Sequence, residues 1–157
     1  MKPMATIVEA TSAGQLALVR ALFQSYQSEL PSACRFPDTE WRTLPGSYGP
    51  PSGKLLLATM AGQPAGCVGL RKVPAPAACE MKRLYVASDF RGHHLGATLI
   101  ERIIQAARAL GYTRMRLDSH VETMGVAIAL YRDFGFVEVA SNPVPRVEGL
   151  AYMELNL

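Results

Sequence analysis

Charge is scarce in this sequence. Asp, Glu, Lys and Arg together make up 18% of the residues and leave a formal net charge of +3, with a pI near 8.9. The basic residues are dispersed and no aromatic-basic platform accompanies them, so a nucleic-acid binder is not expected, while room is left for a local anion site. Cysteine is sparse as well. Cys34, Cys67 and Cys79 are odd in number and lack C-x-x-C spacing, so neither a disulfide framework nor a zinc ribbon is expected, and a reducing, cytoplasmic setting fits. No apolar run approaches the ~18 residues of a membrane span, and Glu9 interrupts the start before a signal-like stretch can develop, so neither membrane nor export is expected. Repeats and low-complexity tracts are absent too. What remains is an ordinary globular composition, 49% hydrophobic over 157 residues. A chain of that size buries roughly 70% of its extended surface, enough for one domain over residues 1–157 without staples.

The pattern along the chain alternates. Thr6–Glu9 is a β-branched run, and Thr11 or Ser12 offers an N-cap for a helix carrying Leu16, Val19, Leu22, Phe23 and Tyr26 at helical spacing. From Pro31 to Gly53, five prolines and three glycines predict a structured loop with one helical turn near Asp38 to Arg42. Lys54–Met60 and Ala65–Val73 read as two strands joined by a hairpin connection at Ala61-Gly62-Gln63-Pro64. Cys79–Val86 reads as the next strand. Leu95, Leu99, Ile103, Ala106 and Leu110 then mark a long amphipathic helix that Gly111 stops. Arg114–Ser119 alternates as a strand, and Ala127, Leu130, Tyr131 and Phe134 predict a helix closed by Gly135. Phe136–Val139 and Ala151–Leu157 are the last strand candidates, with a turn-rich connection through Pro143 and Pro145 between them. This order predicts an α/β fold with a mixed sheet, whose ligand should sit at strand carboxyl ends, near the junction at residues 86–96.

That junction carries Arg91-Gly92-His93-His94-Leu95-Gly96. The first amides of a helix lack intrahelical partners and lie at the positive end of its dipole, so this segment can cradle a phosphate. Gly92 and Gly96 would allow close backbone approach, and Arg91 adds a fixed charge for bidentate contacts. The same residues also suit a tight turn followed by a small residue for helix packing. Absence of a following Gly-Lys-Ser/Thr excludes a P-loop.

Three segments in series now carry a resemblance: Cys79-Glu80-Met81-Lys82-Arg83-Leu84-Tyr85-Val86, then Arg91-Gly92-x-x-Leu95-Gly96, then Ala127-Ile128-Ala129-Leu130-Tyr131-x-x-Phe134-Gly135-Phe136. In that order and spacing the chain resembles the GNAT superfamily of acetyl-CoA-dependent N-acetyltransferases. The likeness runs over nearly the whole chain, since Leu44-Pro45-Gly46-x-Tyr48-x-Pro50-Pro51 and Tyr152-Met153-Glu154-Leu155 are similar to segments of small bacterial members. The resemblance implies a GNAT-like fold, a central mixed sheet of about six to seven strands flanked by helices. It implies acetyl-CoA as cofactor, with the amides of Arg91, Gly92, His93, His94, Leu95, Gly96 and Ala97 holding the pyrophosphate. Leu84, Tyr85 and Val86 would pair with the pantetheine arm and supply an oxyanion donor. Tyr131 would give a proton to the departing thiolate, a step open to a phenol of pKa about 10. Taken alone, Tyr131 on an apolar helical face reads as core.

The resemblance also implies direct transfer to a primary amine on a small molecule or peptide, within a ternary complex. A lysine-type amine, pKa about 10.4, must first lose a proton, and Glu80 is the candidate base, acting through water; as a strand residue beside Lys82 it suits a salt bridge equally. Departures from the family pattern stand at His94, where many members have glycine, and at Met124, where many have asparagine. His tolerates left-handed backbone, so His94 is compatible with the cradle. These departures leave open a catalytically silent acyl-CoA sensor or interaction module. Glu29, Trp41 and Tyr48, with Tyr26, Phe36, Asp38 and Glu40, suggest an acidic, aromatic-walled acceptor pocket in residues 29–53, or a lid packing its aromatics on the sheet. His93, His94 and His120 lack ligand partners at metal spacing, and Cys79 suits a buried strand better than a nucleophile's site. A homodimer is common among proteins that this one resembles.

Overall fold

The computed structural model describes residues 4–120, 125–140 and 148–157. Strand β1 (Thr6–Glu9) leads into helix α1 (Ala13–Glu29), whose N-cap is Ser12: the Ser12 hydroxyl accepts from the Gln15 amide at 3.2 Å, and the Gln15 side chain accepts from the Ser12 amide at 3.0 Å. This reciprocal box satisfies two amides that the helix itself leaves open. The proline-rich stretch holds helix α2 (Thr39–Arg42) between 3-10 turns at Ser32–Cys34 and Gly46–Tyr48. Strands β2 (Lys54–Met60), β3 (Gln63–Lys72) and β4 (Ala78–Val86) follow. Helix α3 (Leu95–Ala109), β5 (Arg114–His120), α4 (Gly125–Asp133), β6 (Val137–Glu138) and β7 (Leu150–Asn156) complete the described elements.

The expected hairpin connection at residues 61–64 is shorter in the structure. Ala61 and Gly62 make the whole turn at φ 51° and 76°, while Gln63 and Pro64 already pair with Met60 and Thr59 in the sheet. Two successive positive φ values match the turn to the strand twist. The last strand candidate but one also shortens, to Val137–Glu138.

The strands form one seven-stranded mixed sheet in the order β1-β2-β3-β4-β5-β7-β6. All neighbours are antiparallel except β4 and β5, whose parallel ladder covers only Ala78–Glu80 against Arg114–Arg116. Beyond Glu80 the two strands no longer pair. β4 carries one extra residue opposite β3, for its register passes from Lys82↔Gly69 to Tyr85↔Cys67. The bulged Arg83 has φ 59°. The extra residue switches the faces that later side chains meet. Cys79 and Met81 belong to the cluster beneath α3, as do Leu84 and Val86, whereas Tyr85 joins the opposite cluster beneath α1.

Helix α3 buries Leu95, Leu99, Ile100, Ile103, Ile104 and Ala107 along one stripe, the a/d-like spacing of an amphipathic helix lying on a sheet. On the other face Val19, Leu22 and Phe23 of α1 cover Leu55, Leu57 and Cys67. The sheet is thus covered on both faces and split at its centre.

Candidate active site

The split is where the sequence-predicted residues gather. After β4, a 3-10 turn at Ser88–Phe90 leads to Gly92 (φ 86°) and His94 (φ 58°, ψ 22°), and α3 begins at Leu95. His94 therefore stands in left-handed backbone, as its side chain permits. Among the described residues, no amide from Gly92 to Ala97 donates to a protein carbonyl. The flanking amides do: Arg91 N to Ser88 O at 3.4 Å, and Thr98 N to His94 O at 3.1 Å. Gly92 is required by its φ. A Cβ at Gly96 would meet only Leu130 at 3.7 Å and Val86 at 3.8 Å, ordinary contact, so helix packing does not demand glycine there. What glycine provides at Gly96 is open backbone on a cleft wall.

That cleft, about 720 Å³, runs from the helix start along the outer side of β4, between Leu84, Val86 and Gly96 on one wall and Ala127 and Leu130 of α4 on the other. A volume in this range suits a cofactor-sized ligand. Past Glu80 the β4 edge that faces β5 has no strand partner, so its backbone lies open along the cleft except at the Val86 carbonyl, which accepts from Arg91. At its inner end the cleft shares Tyr26, Leu30 and Leu84 with a small cavity of about 60 Å³ that passes through the gap between β4 and β5.

Tyr131 lines that small cavity. Its ring is buried, 5.9 Å from the Phe136 ring, yet its hydroxyl makes no hydrogen bond among the described residues. Burial raises the phenol above its ordinary pKa, and the neighbouring Tyr26 and Asp118 push the same way. The group thus stays protonated beyond the range of an ordinary phenol.

Other predicted residues are tied to protein neighbours. Arg91 does not project free charge into the cradle: its Nη2 donates to Glu29 Oε1 at 2.9 Å, its Nε donates to Val86 O at 2.9 Å, and its guanidinium lies 5.7 Å from the Tyr85 ring. The Tyr85 hydroxyl donates to the same Glu29 carboxylate. Burial opposes ionisation of Glu29, but the Tyr85 and Arg91 hydrogen bonds outweigh it and hold the carboxyl below its usual range. Glu29 therefore lines the cleft at the helix start, whose walls do not include Trp41 or Tyr48. Tyr48 is 2% exposed, packed against Phe23 and Gly69, with its hydroxyl donating to Glu40 at 3.3 Å. The backbone oxygen of Trp41 accepts from Arg20 at 3.1 Å, and its indole nitrogen is buried without a partner. The three do not converge on one pocket. Instead Glu40 clamps Arg83, whose guanidinium also sits 3.9 Å from the Phe36 ring, so the proline-rich loop is fastened onto the β4 bulge.

Glu80 is likewise placed apart from Tyr131. It holds Arg71 at 2.7 Å and Lys82 at 3.9 Å, and it lines a separate cavity of about 720 Å³ on the α1 face, beside Arg116, Tyr152 and Glu154. Cys79 is fully buried, its thiol 3.4 Å from Arg114 O and pushed up to about 12 by burial. His93 and His94 flank the helix start and His120 lines the small cavity. Met124 and the Pro143–Pro145 connection lie outside the described residues.

A mixed sheet divided at its single parallel pair, with an unpartnered helix start at one end of the division and a buried phenol inside it, defines a GNAT-type acyltransferase fold. The comparisons agree. Residues 16–136 match the family model described as the acetyltransferase (GNAT) family, and the chain belongs to that family. An uncharacterised N-acetyltransferase of Schizosaccharomyces pombe is 37% identical over 164 aligned positions, which cover 100% of this chain and 98% of that protein. Among solved structures, a GNAT-family acetyltransferase of Staphylococcus aureus superposes with a TM-score of 0.80 at 15% identity, covering 98% of this chain and 99% of that one. PaiA N-acetyltransferase of Thermoplasma acidophilum, solved in complex with coenzyme A, superposes with a TM-score of 0.75 at 16% identity, over 98% and 99% of the two chains.

Asp118 and Ser119, which line the small cavity with Tyr131, carry no role in the sequence reading, whereas Tyr26, expected in the aromatic acceptor pocket, does line this cavity. One signal was present for Ser119. In β5 it takes the third place of the inward row Met115, Leu117, Ser119, a hydroxyl where the pattern calls for an apolar side chain.

Proposed function

We propose that the chain is one N-acetyltransferase domain over residues 1–157, which transfers an acetyl group from acetyl-CoA directly to a primary amine in a ternary complex. The observation that carries this reading is the through-sheet gap: a cofactor-sized cleft reaches it from the α3 and α4 side, a second cavity adjoins it from the α1 side, and the Tyr131 hydroxyl faces it without a hydrogen-bond partner among the described residues. Two ligands brought from opposite faces meet there without a covalent relay.

The residues present fit the cofactor. Gly92 to Ala97 offer unpaired amides with the α3 dipole behind them, and Gly96 keeps the wall low where a linked diphosphate would lie. Acetyl-CoA, when bound, supplies the activated acyl group as a thioester. Leu84, Tyr85 and Val86 present strand backbone to the pantetheine arm and one amide toward the acyl oxygen. Glu29 fixes Arg91 and Tyr85 at the cleft mouth. Tyr131 donates its proton to the sulfur as the C–S bond breaks. Glu80 holds Lys82 and Arg71 on the acceptor side and sets the charge of that cavity.

A thiol-release screen over alkylamines, polyamines, amino acids and peptides, at millimolar acetyl-CoA, tests the reading. Cofactor-dependent thiol release with a stoichiometric acetylated product is expected. Absence of acetyl-CoA binding at that concentration overturns the proposal, and binding without turnover on any amine overturns its enzymatic part.

A further inference from the structure

The amine side of the reaction needs a group that receives a cation and takes its proton, and two carboxylates stand near the gap. Among the described residues, Asp118 is the one acidic side chain lining the small cavity that holds Tyr131, and it also lines the larger cavity on the α1 face, where Glu80 lies. Asp118 therefore stands at the doorway between the two. Its charge is felt by the hydroxyls of both Tyr26 and Tyr131, whereas the charge of Glu80 is felt by Cys79 and Arg71.

Asp118 also has capacity to spare. Its described partner is Lys82, whose ammonium lies 3.5 Å from Oδ2 and is shared with Glu80 at 3.9 Å, two long ion pairs on one cation. Oδ1 has no described partner, although an ionised carboxylate can accept about four hydrogen bonds. A second observation points to a ligand in the same place. Ser119 is 5% exposed, its hydroxyl has no hydrogen-bond partner among the described residues, and it lines the same cavity from the opposite side of β5. Buried hydroxyls are normally satisfied, so this one calls for a partner that occupies the cavity. The cavity, at about 60 Å³, holds roughly two water volumes, room for an unbranched methylene-ammonium end but not for a ring. Tyr26 and Tyr131 give it aromatic walls suited to a cation.

We propose that Asp118 is the acceptor-side catalytic residue: its carboxylate anchors the ammonium of an unbranched primary alkylamine and takes the proton that frees the nitrogen lone pair. This rests on the acetyl-transfer reading above. One proton passes from R–NH₃⁺ to the carboxylate, giving R–NH₂ and a neutral Asp118, which returns it to solvent through the larger cavity. As the C–N bond forms and the C–S bond breaks, Tyr131 gives its proton to the sulfur, and the second nitrogen proton restores Tyr131. The charged and titratable groups facing Asp118 in the small cavity are Lys82 and Arg83 from β4, Tyr26 from α1, Tyr131 from α4 and His120 on its own strand, with Cys34 from the loop; in the larger cavity they are Arg71 from β3, Glu80 from β4, Arg114 and Arg116 from its own strand, and Tyr152 and Glu154 from β7.

The test compares wild type with Asp118→Asn and Asp118→Glu on n-propylamine, protonated at pH 7, and 2,2,2-trifluoroethylamine, neutral at pH 7. For Asp118→Asn, kcat/KM with propylamine should fall about 10²-fold at pH 7 and less than about 3-fold near pH 9.5, where much more of the amine is already free. The trifluoroethylamine rate should change less than about 3-fold at both pH values, and acetyl-CoA binding by calorimetry should be retained. Asp118→Glu should recover part of the propylamine rate, which keeps the test decisive if the asparagine variant does not fold. Equal losses on both amines, no loss on propylamine, or wild-type turnover confined to neutral or branched amines would overturn the assignment. A wild type that binds no acetyl-CoA or acetylates no amine would instead overturn the reading beneath it.

Discussion

Removing one oxygen, in Tyr131→Phe, separates chemistry from stability at this site. The hydroxyl makes no hydrogen bond among the described residues and faces the small cavity, while the ring is held by the apolar core and Phe136. No protein hydrogen bond is lost, so the folding free energy should move by no more than about 0.5 kcal/mol. For a chain of this size that is a Tm change within about 2 °C. Acetyl-CoA affinity should hold within about 2-fold, because the cradle lies at the other end of the cleft. The loss falls on kcat, by about 10²-fold or more, roughly 2.7 kcal/mol of transition-state stabilisation. Burial also keeps the phenol protonated beyond its ordinary pKa of about 10, so the wild-type kcat should show no falling limb below about pH 10. Steady-state thiol release, calorimetry and a cofactor titration on both proteins measure all three quantities. An unchanged kcat refutes the proton-donor role. A large fall in Tm also refutes it, since the hydroxyl would then be structural.

Substitutions at two further positions probe the framework. Arg83→Ala should destabilise by about 2–3 kcal/mol in urea titration, because it leaves Glu40 without its guanidinium and strips the contact with Phe36. Arg83→Gly should lose about 1 kcal/mol less, since glycine adopts φ 59° without the left-handed penalty; a glycine variant weaker than the alanine one would contradict the bulge geometry. Gly69→Ala places a Cβ 2.7 Å from the Tyr48 ring, which is 2% exposed and cannot swing aside, at a cost of about 1–3 kcal/mol. Its Tm should drop by about 2–10 °C; an unchanged Tm would show that Tyr48 is free to move.

The elements with a single strong periodicity were legible before any coordinates. The α3 stripe from Leu95 to Leu110, the β2 and β3 runs and the alternation of β5 all follow from burial on one face or both. The cradle was legible for a local reason, since Gly92 and a left-handed-tolerant His94 stand where the chain must turn into a helix. What stayed hidden depends on contacts distant in sequence. Arg83 is not a residue type that marks a bulge, and only its clamp on Glu40, 43 positions away, explains why it sits at positive φ. Without the bulge, alternation along β4 puts Leu84 on the wrong face. Glu29, Trp41 and Tyr48 share a composition typical of a cation pocket, yet each is claimed by a different neighbour: Arg91, the Arg20 side chain and Gly69. Asp118 escaped notice because a charged residue on an alternating strand ordinarily faces solvent. Its place at the doorway follows from β4 leaving β5 after Glu80.

The amides at the start of α3 are the central claim, and backbone NMR on ¹⁵N-labelled protein reaches them directly. On titration with acetyl-CoA, the amide protons of Gly92, His93, Leu95, Gly96 and Ala97 should shift downfield together as phosphate oxygens become their acceptors, while those of Gly62 and Gly111, at distant turns, stay still. Cofactor binding that leaves those five amides unmoved, with the shifts gathered elsewhere on the molecule, would contradict the account.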